Sequence, residues 1–91
     1  MKLNLDEVMV QLSLDSDKKV LMALRKEIAN AIYQTGRHGL ADVALSTKMW
    51  NGDKDTDYSD DEVNSIKEFV EKSFVPAVIV AVQKVIEESK S

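Results

Sequence analysis

Nine consecutive uncharged residues, Phe74-Val75-Pro76-Ala77-Val78-Ile79-Val80-Ala81-Val82, stand in a chain of which 31% is charged. A run this apolar must leave water, into a core, against a partner chain or both. Extended to Gln83 it is still about half the length that spans a bilayer, so no membrane contact is expected. Pro76 suits the first turn of a helix, where its missing N–H costs nothing. Over that helix Val75, Val78, Ile79, Val82 and Ile86 share one face, flanked by Val85, and are expected in the core. Val80 points nearly opposite, into the sector of Lys84, with Ala77 and Ala81 beside it. Small residues around one valine let a second helix approach closely. Ala77, Val80, Ala81 and Lys84 are therefore read as a partner interface, most simply with a symmetric copy.

The rest of the chain reads as helices. Three glycines and one proline in 91 residues are too few for a turn-rich β fold. Asn4 and Glu7 have the spacing of a capping box, and Leu5, Val8, Met9 and Leu12 follow at helical intervals. Ser13-Leu14-Asp15-Ser16-Asp17 breaks that pattern, and Ser16 supplies a cap for a long helix reaching about Thr35. One stripe on it is Leu21, Leu24, Ile28 and Ile32; a thinner one is Met22, Ala29 and Tyr33. Gly36 stops it. A short helix from Leu40 to Trp50 runs through Leu40, Val43, Ala44 and Thr47 and ends at Asn51-Gly52. That pair also suits a hairpin turn, but Asp-Lys-Asp-Thr-Asp behind it is poor strand sequence. Ser59 and Glu62 form a second capping box ahead of Val63, Ile66, Val70 and Phe74. The expectation is one all-α domain over residues 1–91, a small bundle of four or five short helices, with an acidic loop at about 51–58 between two helical halves.

Charge and composition narrow the function classes. From Asp53 to Glu62 six acids oppose Lys54, so this segment carries −5 of a net −4 and the other 81 residues sum to +1. No basic cluster able to neutralise phosphates appears, so no nucleic-acid partner is expected. Ala41-Asp42-Val43-Ala44 with Ser46-Thr47 is similar to the opening of a helix-turn-helix, but acids follow where a recognition helix belongs, and phosphates would repel them. The absence of cysteine removes disulfides and thiolate metal sites and fits a cytoplasmic protein. Charge also comes too early after Met1 for a secretory signal.

The acidic loop is the strongest chemical candidate. Asp53, Asp55 and Asp57 alternate as at the start of a calcium loop. Tyr58 then stands where the turn needs glycine, and Asn64 where a bidentate glutamate is needed. The loop is read as solvated, with Asp60 and Asp61 favouring a helix N-terminus. His38, the only histidine, lies between Arg37 and Gly39 with no nucleophile setting around it, so no catalytic centre and no cofactor are expected. Trp50 is read either as an exposed interface anchor or as a lid over the bundle.

Leu5-Asp6-Glu7-Val8, Leu12 and Leu14-Asp15-Ser16-Asp17 together resemble the opening of small head–tail connector proteins of tailed phages. The resemblance covers fewer than one-fifth of the residues and implies a helical protein that assembles into rings. The sequence as a whole points to a non-catalytic cytoplasmic interaction or adaptor protein, which self-associates or binds a protein through an apolar helix face. Alternatives are a structural subunit of a phage-type assembly and an acidic inhibitor of a basic or nucleic-acid-binding protein.

Overall fold

The computed structural model describes residues 1–15, 17–37 and 39–90. Its elements are strand β1 (Val8–Gln11), strand β2 (Lys19–Met22) and helices α1 (Arg25–Thr35), α2 (Leu40–Asn51), α3 (Asp60–Ser73) and α4 (Pro76–Lys90). The chain is mostly helical but not all-α. The expected first helix, and the first part of the expected long one, form an antiparallel hairpin instead.

The reason lies in Val8 to Gln11. Val8 and Val10 are buried while Met9 and Gln11 are exposed, a period of two. β-Branched valines two apart suit this pleat better than a helix. The register pairs Val8 with Met22, Met9 with Leu21, Val10 with Val20 and Gln11 with Lys19. The sequence break at 13–17 is real but serves the connection between the strands, where Ser13 Oγ donates to the Asp15 carboxylate. Asn4 does not open a helix; its Oδ1 accepts from the Asp6 amide at 3.2 Å. The Leu5 carbonyl accepts from Leu24 and Arg25 N–H at 2.7 and 3.0 Å, tying the entry of the hairpin to the start of α1. The cap expected at Ser16 and the loop position of His38 lie outside the described residues.

Ile28, Ala29 and Ile32 bury the inner face of α1, whereas Leu21 and Tyr33, expected on its stripes, are exposed. Gly36 follows α1 for a steric reason. A Cβ there would lie 2.3 Å from an Asp42 carboxylate oxygen and 2.5 Å from the Ile32 carbonyl oxygen. Gly39 enters α2 with φ of 64°, a left-handed conformation that glycine adopts without strain. The α2 helix has the expected extent but a different inner face: Leu45, Ser46 and Met49 are buried, while Leu40, Val43, Ala44 and Thr47 are exposed. No hairpin forms at Asn51-Gly52, where α2 ends.

The capping box of α3 is present, with Ser59 N–H donating to Glu62 at 2.8 Å and Glu62 N–H to Ser59 Oγ at 3.2 Å. Val63, Ile66 and Val70 line its buried face. Pro76 opens α4, on which Val78, Ala81, Val82 and Ile86 are buried and Ile79 is half-buried. Val75, expected with them, is exposed because it precedes the helix. The α4 helix packs on β1 and α3, and α1 packs on α2 and α3, around one core that also holds Leu3, Leu5 and Leu24.

Candidate interaction groove

Placing α4 against β1 leaves a groove of about 730 Å³ along their shared margin. One wall is the outer side of α4: Val75 and Val80 are exposed, Val80 by 63%, with Lys84 on the rim. Ala77 is half-buried there and Ala81 is buried, so Ala81 forms floor beneath Val80 rather than projecting surface. The other wall is the hairpin, through Met9, Leu12 and Leu14. Met9 and Leu12 are more than half exposed and Leu14 is fully so.

The four α4 residues singled out in the sequence therefore sit together on one concave surface. Met9, Leu12 and Leu14 are what the sequence reading missed as their companions, because a helical reading turned Met9 and Leu12 inward. The available signal was the alternation of Val8 and Val10 with Met9 and Gln11.

Trp50 is not part of this groove. It borders a smaller hollow of about 230 Å³ with Ala29, Tyr33 and Ser46. It is half exposed, and Lys26 Nζ stands 5.0 Å from its ring centroid, a cation–π distance.

The acidic loop is tied to the start of the chain. Lys2 and Asp57 form an isolated antiparallel bridge, Tyr58 N–H donates to the Met1 carbonyl at 2.7 Å, and the Met1 ammonium donates to Asp57 at 2.5 Å. The hydrogen bond from that ammonium holds the Asp57 carboxyl below its ordinary range. Asp53 bonds within its own loop, accepting from Asp55 N–H at 2.8 Å and donating its N–H to Thr56 Oγ1 at 2.8 Å. Asp60 and Asp61 occupy the first turn of α3, near the positive end of its dipole. Among the described residues, no group of three or more acids or histidines is placed to hold a metal ion.

Beside this loop lies a polar junction built around one buried arginine. Arg25, 8% exposed, donates from Nε to Asp6 at 2.9 Å and from Nη1 to the Met49 and Trp50 carbonyls. It thereby closes the C-terminal end of α2, whose last carbonyls have no partner inside the helix. Lys48 Nζ pairs with Glu62 at 2.8 Å and stands 5.2 Å from the Tyr58 ring centroid. Partial burial pushes the Glu62 carboxyl up, but hydrogen bonds from Lys48 and Ser59 outweigh it and leave it below its ordinary range. Burial pushes the Tyr58 hydroxyl up, and that hydroxyl has no hydrogen-bond partner among the described residues.

Chemically, the groove offers apolar contact and the junction offers internal bonding. Among the described residues no helix is long and apolar enough to cross a membrane. Compared with protein-family models, curated proteins and solved structures, the chain matches none.

Proposed function

We propose that this protein is a non-catalytic binding module that takes an apolar protein segment into the groove between α4 and β1. The observation that carries the reading is convergence. Five large apolar residues that remain exposed, Met9, Leu12, Leu14, Val75 and Val80, line one concavity although they come from two separate stretches of chain. Scattered exposed hydrophobes are ordinary, but a contiguous concave set marks a docking surface. Burying these side chains against a partner recovers the stabilisation that folding alone leaves unrealised, roughly 25 cal/mol per Å² of apolar surface.

The dye 1-anilinonaphthalene-8-sulfonate, which brightens on accessible apolar surface, tests this on the folded protein at low concentration. Dye fluorescence should rise with wild type and with Trp50→Lys, and be largely lost with Val80→Lys and Met9→Lys. All four proteins should keep the same circular dichroism. Loss with Trp50→Lys and retention with Val80→Lys would move the binding surface to the Trp50 hollow.

A further inference from the structure

We infer that Met9 is a reversible oxidation site, at which a hydroperoxide such as hydrogen peroxide turns the hairpin wall of the groove polar and so weakens its hold on an apolar occupant. This regulation rests on the groove reading above.

The chain has no cysteine and four methionines, so methionine carries all of its sulfur. The fold separates the four. Met49 is fully buried, Met1 and Met22 are partly buried against the core, and Met9 is 52% exposed. The cause is the pleat of β1. Val8 and Val10 turn to the core, and Met9 between them turns the other way. Its cross-strand partner, Leu21, is exposed as well, so this face of the sheet stays open to a small oxidant. A methionine oxidises where the oxidant can reach its thioether, and here only one of the four is largely exposed.

The step is a two-electron oxygen transfer. A lone pair on Met9 Sδ attacks one peroxide oxygen as the O–O bond breaks. The new S–O bond makes a sulfoxide. The second oxygen leaves as hydroxide, takes the proton of the transferred hydroxyl and departs as water. A dithiol reverses the change: its two sulfurs give up two electrons and become a disulfide, and the sulfoxide oxygen leaves as water.

The position of Met9 confines the consequence to the groove. Its exposure keeps it out of the core, where Val8 and Val10 hold the strand, so the fold does not depend on its apolar character. The groove does, because Met9 joins Leu12 and Leu14 in the wall that faces Val75 and Val80. A flexible, apolar thioether adapts to an occupant. A sulfoxide is a polar acceptor, and an apolar occupant would bury it without offering a donor.

Hydrogen peroxide in small excess over the full chain should place the first added oxygen on Met9, read by mass spectrometry of peptides, with Met22 and Met49 following only in denaturant. Circular dichroism should then be unchanged, while the dye used above should bind about tenfold more weakly. Methionine sulfoxide reductase with dithiothreitol should restore binding. Met9→Leu cannot be oxidised at this position and should bind dye equally before and after peroxide. Met9→Gln, a polar stand-in for the sulfoxide, should bind weakly without any peroxide. A first oxygen on any other methionine overturns the site. Sulfoxide at Met9 with undiminished dye binding overturns the regulation while the groove reading stands, and so does an equal loss in Met9→Leu. If unoxidised wild type binds no dye, the groove reading itself fails and the regulation falls with it.

Discussion

The Arg25 junction and the α4–β1 groove handle their unmet needs in opposite ways. At the junction, polar groups that would be costly inside a protein are bonded to one another. Arg25 satisfies Asp6 and the last carbonyls of α2, and Lys48 satisfies Glu62. In the groove, apolar groups that would be favourable inside a protein stay in water. A closed region contributes to stability and offers a partner little. An open one contributes little to stability and holds its free energy for association. Substitutions should therefore separate the two: junction changes should move stability alone, and groove changes association alone.

The largest effect is expected at Arg25. Arg25→Ala leaves the Trp50 carbonyl and the Asp6 carboxylate without the Arg25 donor and the Met49 carbonyl with only its bond from the Gly52 N–H, a loss of about 3 kcal/mol. For a domain of this size that lowers the melting temperature by roughly 12 °C or more. Urea unfolding should show it, with no change in sedimentation of the folded fraction. A loss below about 1 kcal/mol would mean that the junction is not closed in the sense argued.

Within α4 the comparison can be made on one helix. Val82 is buried and Val80 exposed. Val82→Ala should cost about 2 kcal/mol, from two lost methyl groups and the cavity they leave. Val80→Ala should stay within about 0.5 kcal/mol. Ile79, which the periodicity places squarely in the core, is half-buried, so its truncation should fall between them. Equal costs at positions 80 and 82 would show that the groove wall already belongs to the core.

How legible this molecule is from its sequence differs along the chain. The α3–α4 half is legible because independent signals agree. Ser59 and Glu62 cap, Pro76 restarts, and Val63, Ile66 and Val70 repeat at helical spacing over long segments. The half before Leu24 is not, because its apolar runs are short. Leu5, Val8, Met9 and Leu12 satisfy a helical template while Val8 and Val10 satisfy a strand, and four residues cannot decide between periods. What decides is tertiary: α4 offers β1 an apolar surface, and Leu5 bonds to the start of α1. The candidate site inherits this division. Its α4 wall could be named from the sequence, whereas its hairpin wall required the strand.

A smaller effect probes the one unmet polar need in the closed region. The Tyr58 hydroxyl is buried without a hydrogen-bond partner among the described residues, and its ring lies under Lys48. Tyr58→Phe keeps the ring and removes the hydroxyl. It should be neutral or stabilise by up to about 1 kcal/mol, since no hydrogen bond is lost and a desolvated group is removed. A destabilisation above about 1 kcal/mol in chemical denaturation would mean that the hydroxyl is bonded after all.

The smallest effect is a pH dependence, and its sign follows from Glu62. Lys48 and Ser59 stabilise the ionised carboxylate in the folded chain, so its folded pKa lies below the unfolded value. The folded state then holds fewer protons than the unfolded state as the group titrates. Its contribution is present above the unfolded pKa and is lost as pH falls through the folded one. Because Lys48 is substantially exposed, the pair is worth only a few tenths of a kcal/mol in water. Melting curves of wild type and Glu62→Gln between pH 7 and pH 3 should converge as pH falls through the usual glutamate range, near about 4.3 and below. A Glu62→Gln protein that gained on wild type with rising pH would reverse the sign. It would show that Glu62 is held by burial rather than by its donors, and that the contrast between a closed junction and an open groove is weaker than the geometry implies.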